Sequence, residues 1–155
     1  MAGTEIGVKE PQATFSACFG EPFMPMHPGV YADLLSGKME EHGAKAWLIN
    51  TGWSGGSYGV GKRMKLRFTR AMLNAAMNGD LDNVEYVVDA RFGFEVPVEC
   101  PNVPVEILQP RNTWEDVSSF DSTADKLATM FNENFARYSA GVSDEVNAAA
   151  PQSLA

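Results

Sequence analysis

Cysteine and histidine are scarce in this sequence. The 155-residue chain has two cysteines, Cys18 and Cys100, and two histidines, His27 and His42. Two cysteines with no CxxC pair build no disulfide framework, which suits a reducing compartment. Neither histidine joins a metal-ligand spacing, so no self-contained zinc site is expected. Long apolar runs are also missing. No stretch approaches the roughly 20 residues that cross a bilayer, so no membrane span is expected. The opening MAGTEIGVKEPQATF lacks the charged and apolar regions of a signal peptide, and a cytoplasmic location follows as the expectation. Positive charge is short as well. Lys and Arg number 12 against 20 Asp and Glu, a formal net charge of −8. A duplex-reading protein concentrates cations, so nucleic acid is not an expected partner.

What basic charge there is falls in one place. Lys62, Arg63, Lys65, Arg67 and Arg70 lie within nine residues, which favours a small anionic ligand over a polymer. They follow a loop, residues 51–61, that holds five glycines. From Gly56 the chain runs G-S-Y-G-V-G-K-R, one residue short of a phosphate-binding loop. That motif requires Ser or Thr after GK to reach Mg²⁺, and a helix starting at the lysine. Here Arg63 takes the hydroxyl position, and "RMKLRF" (63–68) alternates like a strand, with Met64, Leu66 and Phe68 on one side. The P-loop reading therefore fails on local grounds. A nucleotide-contacting loop of another kind and a plain structural loop both remain open. Arg can stack its guanidinium on a base and attract phosphate. Trp53 and Tyr58 read first as packing residues, and Lys62, Lys65, Arg67 and Arg70 as solvated or paired cations.

The rest of the pattern is that of a mixed α+β domain. Pro28 to Gly43 reads as a helix, with Pro in the first turn and Gly as the stop. "KAWLIN" (45–50) reads as a buried strand. Thr69 reads as the N-cap of "RAMLNAAMNG", closed by Gly79. Residues 84–101 give two strand candidates broken at Arg91 to Gly93, and "LQPRNTW" a loop. A long helix is predicted from about Ser122 to Ala140, with an apolar stripe of Ala124, Leu127, Ala128, Phe131, Phe135 and Tyr138. Residues 143–155 read as a polar, frayed tail. Met72, Met77 and Met130 are expected in the core, His27 in a turn, and Cys18 as a buried small hydrophobe. No internal repeat is present. Residues 1–28 carry large apolar side chains without any period.

Four stretches, "EPQATFSACFG", "FMPMHP", "AWLINTGWSGGSYGVGKRMKLRFTRAM" and "LQPRNTW", resemble the C-terminal portion of ATP-dependent phosphoenolpyruvate carboxykinase. The resemblance runs collinearly over about residues 2 to 140, and the "NTGW…GKR…TRA" block is its most specific part. It implies an α/β fold, namely the C-terminal part of the family's nucleotide-binding domain, a mixed sheet with flanking helices. It implies that Arg63 and Met64 lie against the adenine of ATP and that Thr69 contacts the nucleotide. Residues 1–28 would form a mobile loop and its anchor, residues 29–140 the adenine-side domain portion, and residues 141–155 a disordered tail. The activity implied is conversion of oxaloacetate and ATP to phosphoenolpyruvate, CO₂ and ADP, in gluconeogenesis, with Mn²⁺ or Mg²⁺. The family's P-loop, metal ligands and oxaloacetate-binding arginine would lie upstream of Met1. The chain is therefore expected to be a fragment that lacks catalytic and metal-ligating residues and is inactive alone, its partner being the missing N-terminal part. Glu21 stands where the family pattern has a small residue, and Met64 is apolar but unbranched. The alternative is a free-standing, non-catalytic nucleotide-binding or interaction module.

Overall fold

Pro28 lacks the N–H that a first helical turn could not use, and Gly43 can adopt the left-handed backbone that ends a helix. Between them lies α1, Pro28–His42. His27 caps it through its side chain, which accepts from the Gly29 N–H at 3.1 Å. Gly43 has φ 59°, and the Ala44 N–H closes the last turn on the Met39 carbonyl at 3.0 Å. This is a computed structural model that describes residues 7, 13–15, 20–50 and 52–154. About half of the expected mobile loop and anchor over 1–28 falls outside those residues, Cys18 with it.

The chain divides into two compact units, Met1–Ala46 with Ala128–Pro151, and Trp47–Leu127 with Gln152–Ala155. In the first, Gly29 is buried against the Ser139–Gly141 turn, where an added Cβ would stand 2.5 Å from the Gly141 carbonyl oxygen. The His27 ring meets Tyr138 edge-on at 5.8 Å, and the Tyr138 hydroxyl lies 3.4 Å from Glu21 Oε1. Phe15 packs edge-on against Phe131, centroids 5.0 Å apart. The stretch read as a polar tail carries a short helix, Asp144–Ala148, capped by Ser143.

The second unit opens with a two-residue ladder, β1 (Trp53–Ser54) antiparallel to β2 (Lys62–Arg63). Helix α2, Leu66–Asn78, follows at once. Strands β3 (Tyr86–Val88) and β4 (Glu95–Pro97) pair antiparallel with Val87 opposite Val96. Their connection folds on the Asp89 carboxylate, which accepts from the Arg91 and Phe92 N–H groups. After a tight Cys100–Val103 turn, in which Asn102 has φ 62°, come α3 (Val105–Leu108) and a 3-10 turn, Pro110–Thr113. The core of this unit is one cluster of Phe68, Ala75, Leu81, Cys100, Val103 and Leu108, with Trp47, Met64, Met72 and Ile107 half-buried against it. Helix α4, Val117–Phe135, buries Ala124 in this unit; its part from Ala128, which is also buried, belongs to the first. The class is mixed α/β, as expected, with the β part held in two two-stranded antiparallel ladders among the described residues.

Several local expectations are corrected. "KAWLIN" pairs with no strand among the described residues, and its Leu48 is 79% exposed while Trp47 joins the core. "RMKLRF" is not a strand beyond Arg63. Residues 64, 68, 71, 72, 75 and 76 all face the core cluster, a helical stripe, while Leu66 is 62% exposed. The cap of α2 is therefore Lys65, and Thr69 lies inside its first turn instead of at its N-cap. Met77 is 82% exposed, not core. "LQPRNTW" is a 3-10 turn instead of an open loop. Helix α4 starts earlier than Ser122 because Asp116 supplies a cap, accepting from the Ser118 N–H at 2.9 Å and both serine hydroxyls at 2.6 Å. It ends at Phe135, short of Ala140.

Candidate functional site

The glycine-rich segment between β1 and β2 folds as a hairpin connection. The Val60 and Gly61 N–H groups both donate to the Ser57 carbonyl, at 3.1 and 2.8 Å. Gly55, Gly56 and Gly59 have positive φ, which a residue with a Cβ adopts only at a cost. At Gly56 an added Cβ would also meet the Gly61 backbone nitrogen at 2.9 Å. The lysine of the GK pair opens a strand, and the helix starts four positions later at Leu66. This is not the strand–loop–helix geometry of a phosphate loop.

The ladder decides where the side chains point. Trp53 pairs with Arg63 and Ser54 with Lys62. The Met64 N–H donates to the Gly52 carbonyl at 3.0 Å, so its bond flanks the Trp53–Arg63 pair instead of joining it. Trp53 and Arg63 are therefore a non-hydrogen-bonded pair, the kind whose side chains approach closest on one face of an antiparallel ladder. The other face is occupied. Ser54 Oγ lies 3.3 Å from Thr113 Oγ1, and a Cβ on Gly55 would stand 3.0 Å from the Thr113 carbonyl oxygen. Trp53 and Arg63 thus project away from the Pro110–Thr113 turn, and both are exposed.

The electrostatics of this edge are one-sided. Lys62, Arg63, Lys65, Arg67 and Arg70 are all exposed, and none forms an ion pair with a described residue. Arg67 lies over the Phe68 ring at 4.7 Å and Lys65 near it at 6.0 Å. Lys65 caps α2 without a side-chain hydrogen bond. Cations at the positive end of an uncapped helix repel its dipole, an arrangement that an anion relieves.

The three residues singled out in the sequence are only partly brought together. Arg63 stands on the open face. Met64, the next residue, turns the opposite way and packs half-buried on the core cluster. Thr69 is half-buried one turn into α2. Trp53, read from the sequence first as a packing residue, is exposed and stands opposite Arg63 on that face. What places it there is pairing register, which no local pattern carries. Among the described residues no group of three or more His, Cys, Asp or Glu could hold a metal ion. No helix among them is long and apolar enough to cross a membrane.

The strongest charge cluster elsewhere in this unit is structural. The Arg91 guanidinium donates to both oxygens of Asp125, at 2.9 and 3.3 Å, and lies 3.2 Å from Asp121, which Arg111 also holds at 2.9 Å. The hydrogen bond from Arg91, and then the Leu154 N–H, keep the Asp125 carboxyl below its ordinary pKa. The Arg111 hydrogen bond does the same for Asp121.

Comparison with known proteins agrees with the sequence resemblance. The phosphoenolpyruvate carboxykinase family model matches residues 1–106. The phosphoenolpyruvate carboxykinase (ATP) of Flavobacterium johnsoniae is 59% identical over 151 residues, 97% of this chain and 28% of that protein. Its namesakes from Thermus thermophilus and Geotalea uraniireducens are 57% and 53% identical, over 98% and 94% of this chain and 29% and 28% of theirs. The chain thus spans little more than a quarter of the length of these relatives.

Proposed function

Because the chain belongs to the phosphoenolpyruvate carboxykinase family, we propose that it supplies the adenine-side wall of a nucleotide site in a longer, cytoplasmic ATP-dependent enzyme. That enzyme would convert oxaloacetate and ATP to phosphoenolpyruvate, CO₂ and ADP. Arg63 would hold the base, Met64 would support it from the core side, and Thr69 would line the same edge from the first turn of α2. Residues 1–28 would form a mobile loop with its anchor, and residues 29–140 the adenine-side portion.

The observation that carries this reading is the exposed Arg63 guanidinium on the hairpin face opposite the Ser54–Thr113 contact, with no ion pair to any described residue, beside the cation-rich start of α2, whose N-cap makes no side-chain hydrogen bond. A flat cation stacks on a base and tolerates nearby phosphate. The excess positive charge draws a polyanion toward this edge. The divalent ion implied by the family finds no cluster of donors among the described residues, so no residue here is assigned to it and no step is routed through it. The chemistry of phosphoryl transfer rests on positioning and charge neutralisation, and what the described residues offer on this reading is the positioning of the base. On the same reading the 155-residue chain is inactive by itself.

Calorimetric titration of ATP into the chain and into Arg63→Ala tests the reading. Saturable binding is expected, weakened roughly 3- to 30-fold by the substitution, the range of one cation–π contact. Equal affinity in both proteins would refute the role of Arg63. Turnover of oxaloacetate with ATP and Mn²⁺ by the chain alone would refute its inactivity.

A further inference from the structure

We propose that Trp53 is a second nucleotide-positioning residue, a stacking platform that acts with Arg63 to favour a purine base over a pyrimidine. The inference rests on the nucleotide-wall reading above and deepens it. Trp53 and Arg63 face each other as the non-hydrogen-bonded pair of the β1–β2 ladder, with Cβ atoms about 4.5–5.5 Å apart in such a pair. A planar ring held between two flat groups needs about 7 Å, two optimal carbon contacts. Side chains that diverge from such a pair can open to that width. Both side chains of the pair are exposed among the described residues, whereas the other face of the ladder is taken up by the Ser54–Thr113 contact.

The state of Trp53 also argues for a platform. The unit has a core cluster that takes Trp47, yet Trp53 is outside it and 45% exposed. Its indole is nevertheless not loose. Tyr58 meets it at 5.5 Å and 87°, an edge-to-face pair. Tyr58 is brought there by the bonds of the Val60 and Gly61 N–H groups to the Ser57 carbonyl. The glycine loop thus turns back so that one aromatic steadies another, which lowers the ordering cost when a base arrives. Stacking grows with ring area, so a bicyclic base gains more than a monocyclic one.

The experiment titrates ATP and CTP into the 155-residue chain, Trp53→Leu, Trp53→Phe and Arg63→Ala. Heat and tryptophan fluorescence are both recorded. Support would be an ATP affinity about 5- to 150-fold lower in Trp53→Leu, the range for losing one base–aromatic stack. The ATP-over-CTP preference should shrink with it, and Trp53→Phe should keep most of both. ATP should also quench the fluorescence of the unsubstituted chain, and that quenching should vanish in Trp53→Phe although Trp47 and Trp114 remain. A purely structural tryptophan would not move the base preference or the quenching. If Trp53→Leu fails to fold, which circular dichroism reports, loss or retention of quenching in Trp53→Phe decides alone. If Arg63→Ala weakens binding while Trp53→Leu leaves affinity and base preference unchanged, this inference falls and the nucleotide wall stands. If the unsubstituted chain shows no saturable ATP binding, or Arg63→Ala changes nothing, both fall.

Discussion

Replacing Phe68 by alanine measures whether residues 63–68 work as the start of a helix. Phe68 is 7% exposed and sits in the cluster with Ala75, Leu81, Cys100, Val103 and Leu108. Removing the ring forfeits about 2 kcal/mol of transfer free energy. The vacated space adds roughly 1–2 kcal/mol, because the neighbours relax only in part. The half-buried rim of Met64, Met72 and Ile107 can close in to some degree, so about 3 kcal/mol is expected, the low end for such a truncation. Leu66→Ala is the internal control. On a strand with Met64, Leu66 and Phe68 on one side, it would cost nearly as much. On α2 it points outward and should cost less than about 0.5 kcal/mol. Urea unfolding followed by fluorescence reads both, since Trp47 lies near Tyr86 at 6.4 Å and joins the same core. With a slope of about 2 kcal/mol/M, Phe68→Ala should lower the midpoint by about 1.5 M and Leu66→Ala by less than about 0.25 M. Equal shifts for the two variants would refute the helical assignment.

The acid limb of stability should depend on Asp116. The Ser118 and Ser119 hydroxyls, with both backbone N–H groups, hold its pKa at about 2 against an ordinary 3.8. The contribution is then complete above the ordinary value and lost as pH falls from there toward 2. Asp116→Asn should flatten part of that loss in a pH series of melting temperatures. Two glycines should respond oppositely to alanine. Gly79 caps α2 at φ 78° and should cost about 1–2 kcal/mol, whereas Gly37, inside α1 with open space at its Cβ, should gain about 0.5–1 kcal/mol. Deleting residues 152–155 removes the Gln152 and Leu154 N–H bonds to the Arg91 carbonyl and Asp125. The Asp125 carboxyl should then titrate closer to its ordinary value in a carbon-detected NMR series, and an unchanged titration would discount the tail as its partner.

Where a local residue type dictates the backbone, the sequence was enough. Pro28 and Gly43 bound α1, Gly79 ends α2, and the break at Arg91 to Gly93 is the connection of the β3–β4 hairpin. Reading failed where one pattern fits two periods. Met64, Leu66 and Phe68 satisfy alternation, but Met64 and Phe68 alone satisfy the four-residue helical step, and the neighbours at 71, 72, 75 and 76 choose between them. It failed again where structure depends on a partner. "KAWLIN" has the composition of a strand, but a strand exists only through pairing, and among the described residues nothing pairs with it. Asp116 was a legible cap signal, hidden only because the apolar stripe of α4 starts later than its backbone does.

The candidate site divides along the same line. The family motif and the basic cluster were visible one residue at a time, and both pointed to Arg63. Which way Arg63 points was not visible, because facing is a property of the ladder. Paired as it is, Trp53 opposite Arg63, the guanidinium shares its face with an indole and looks away from Thr113. A slip of one residue would bring Ser54 opposite Arg63 and turn the cation onto the face that packs against the Pro110–Thr113 turn. The glycines of 55–61 matter through this register. Their positive φ values and the close approach of Gly56 to Gly61 fix the length and curl of the connection, and with it the pairing. The segment that looks like a phosphate cradle is better understood as the device that holds one arginine and one tryptophan on the same side.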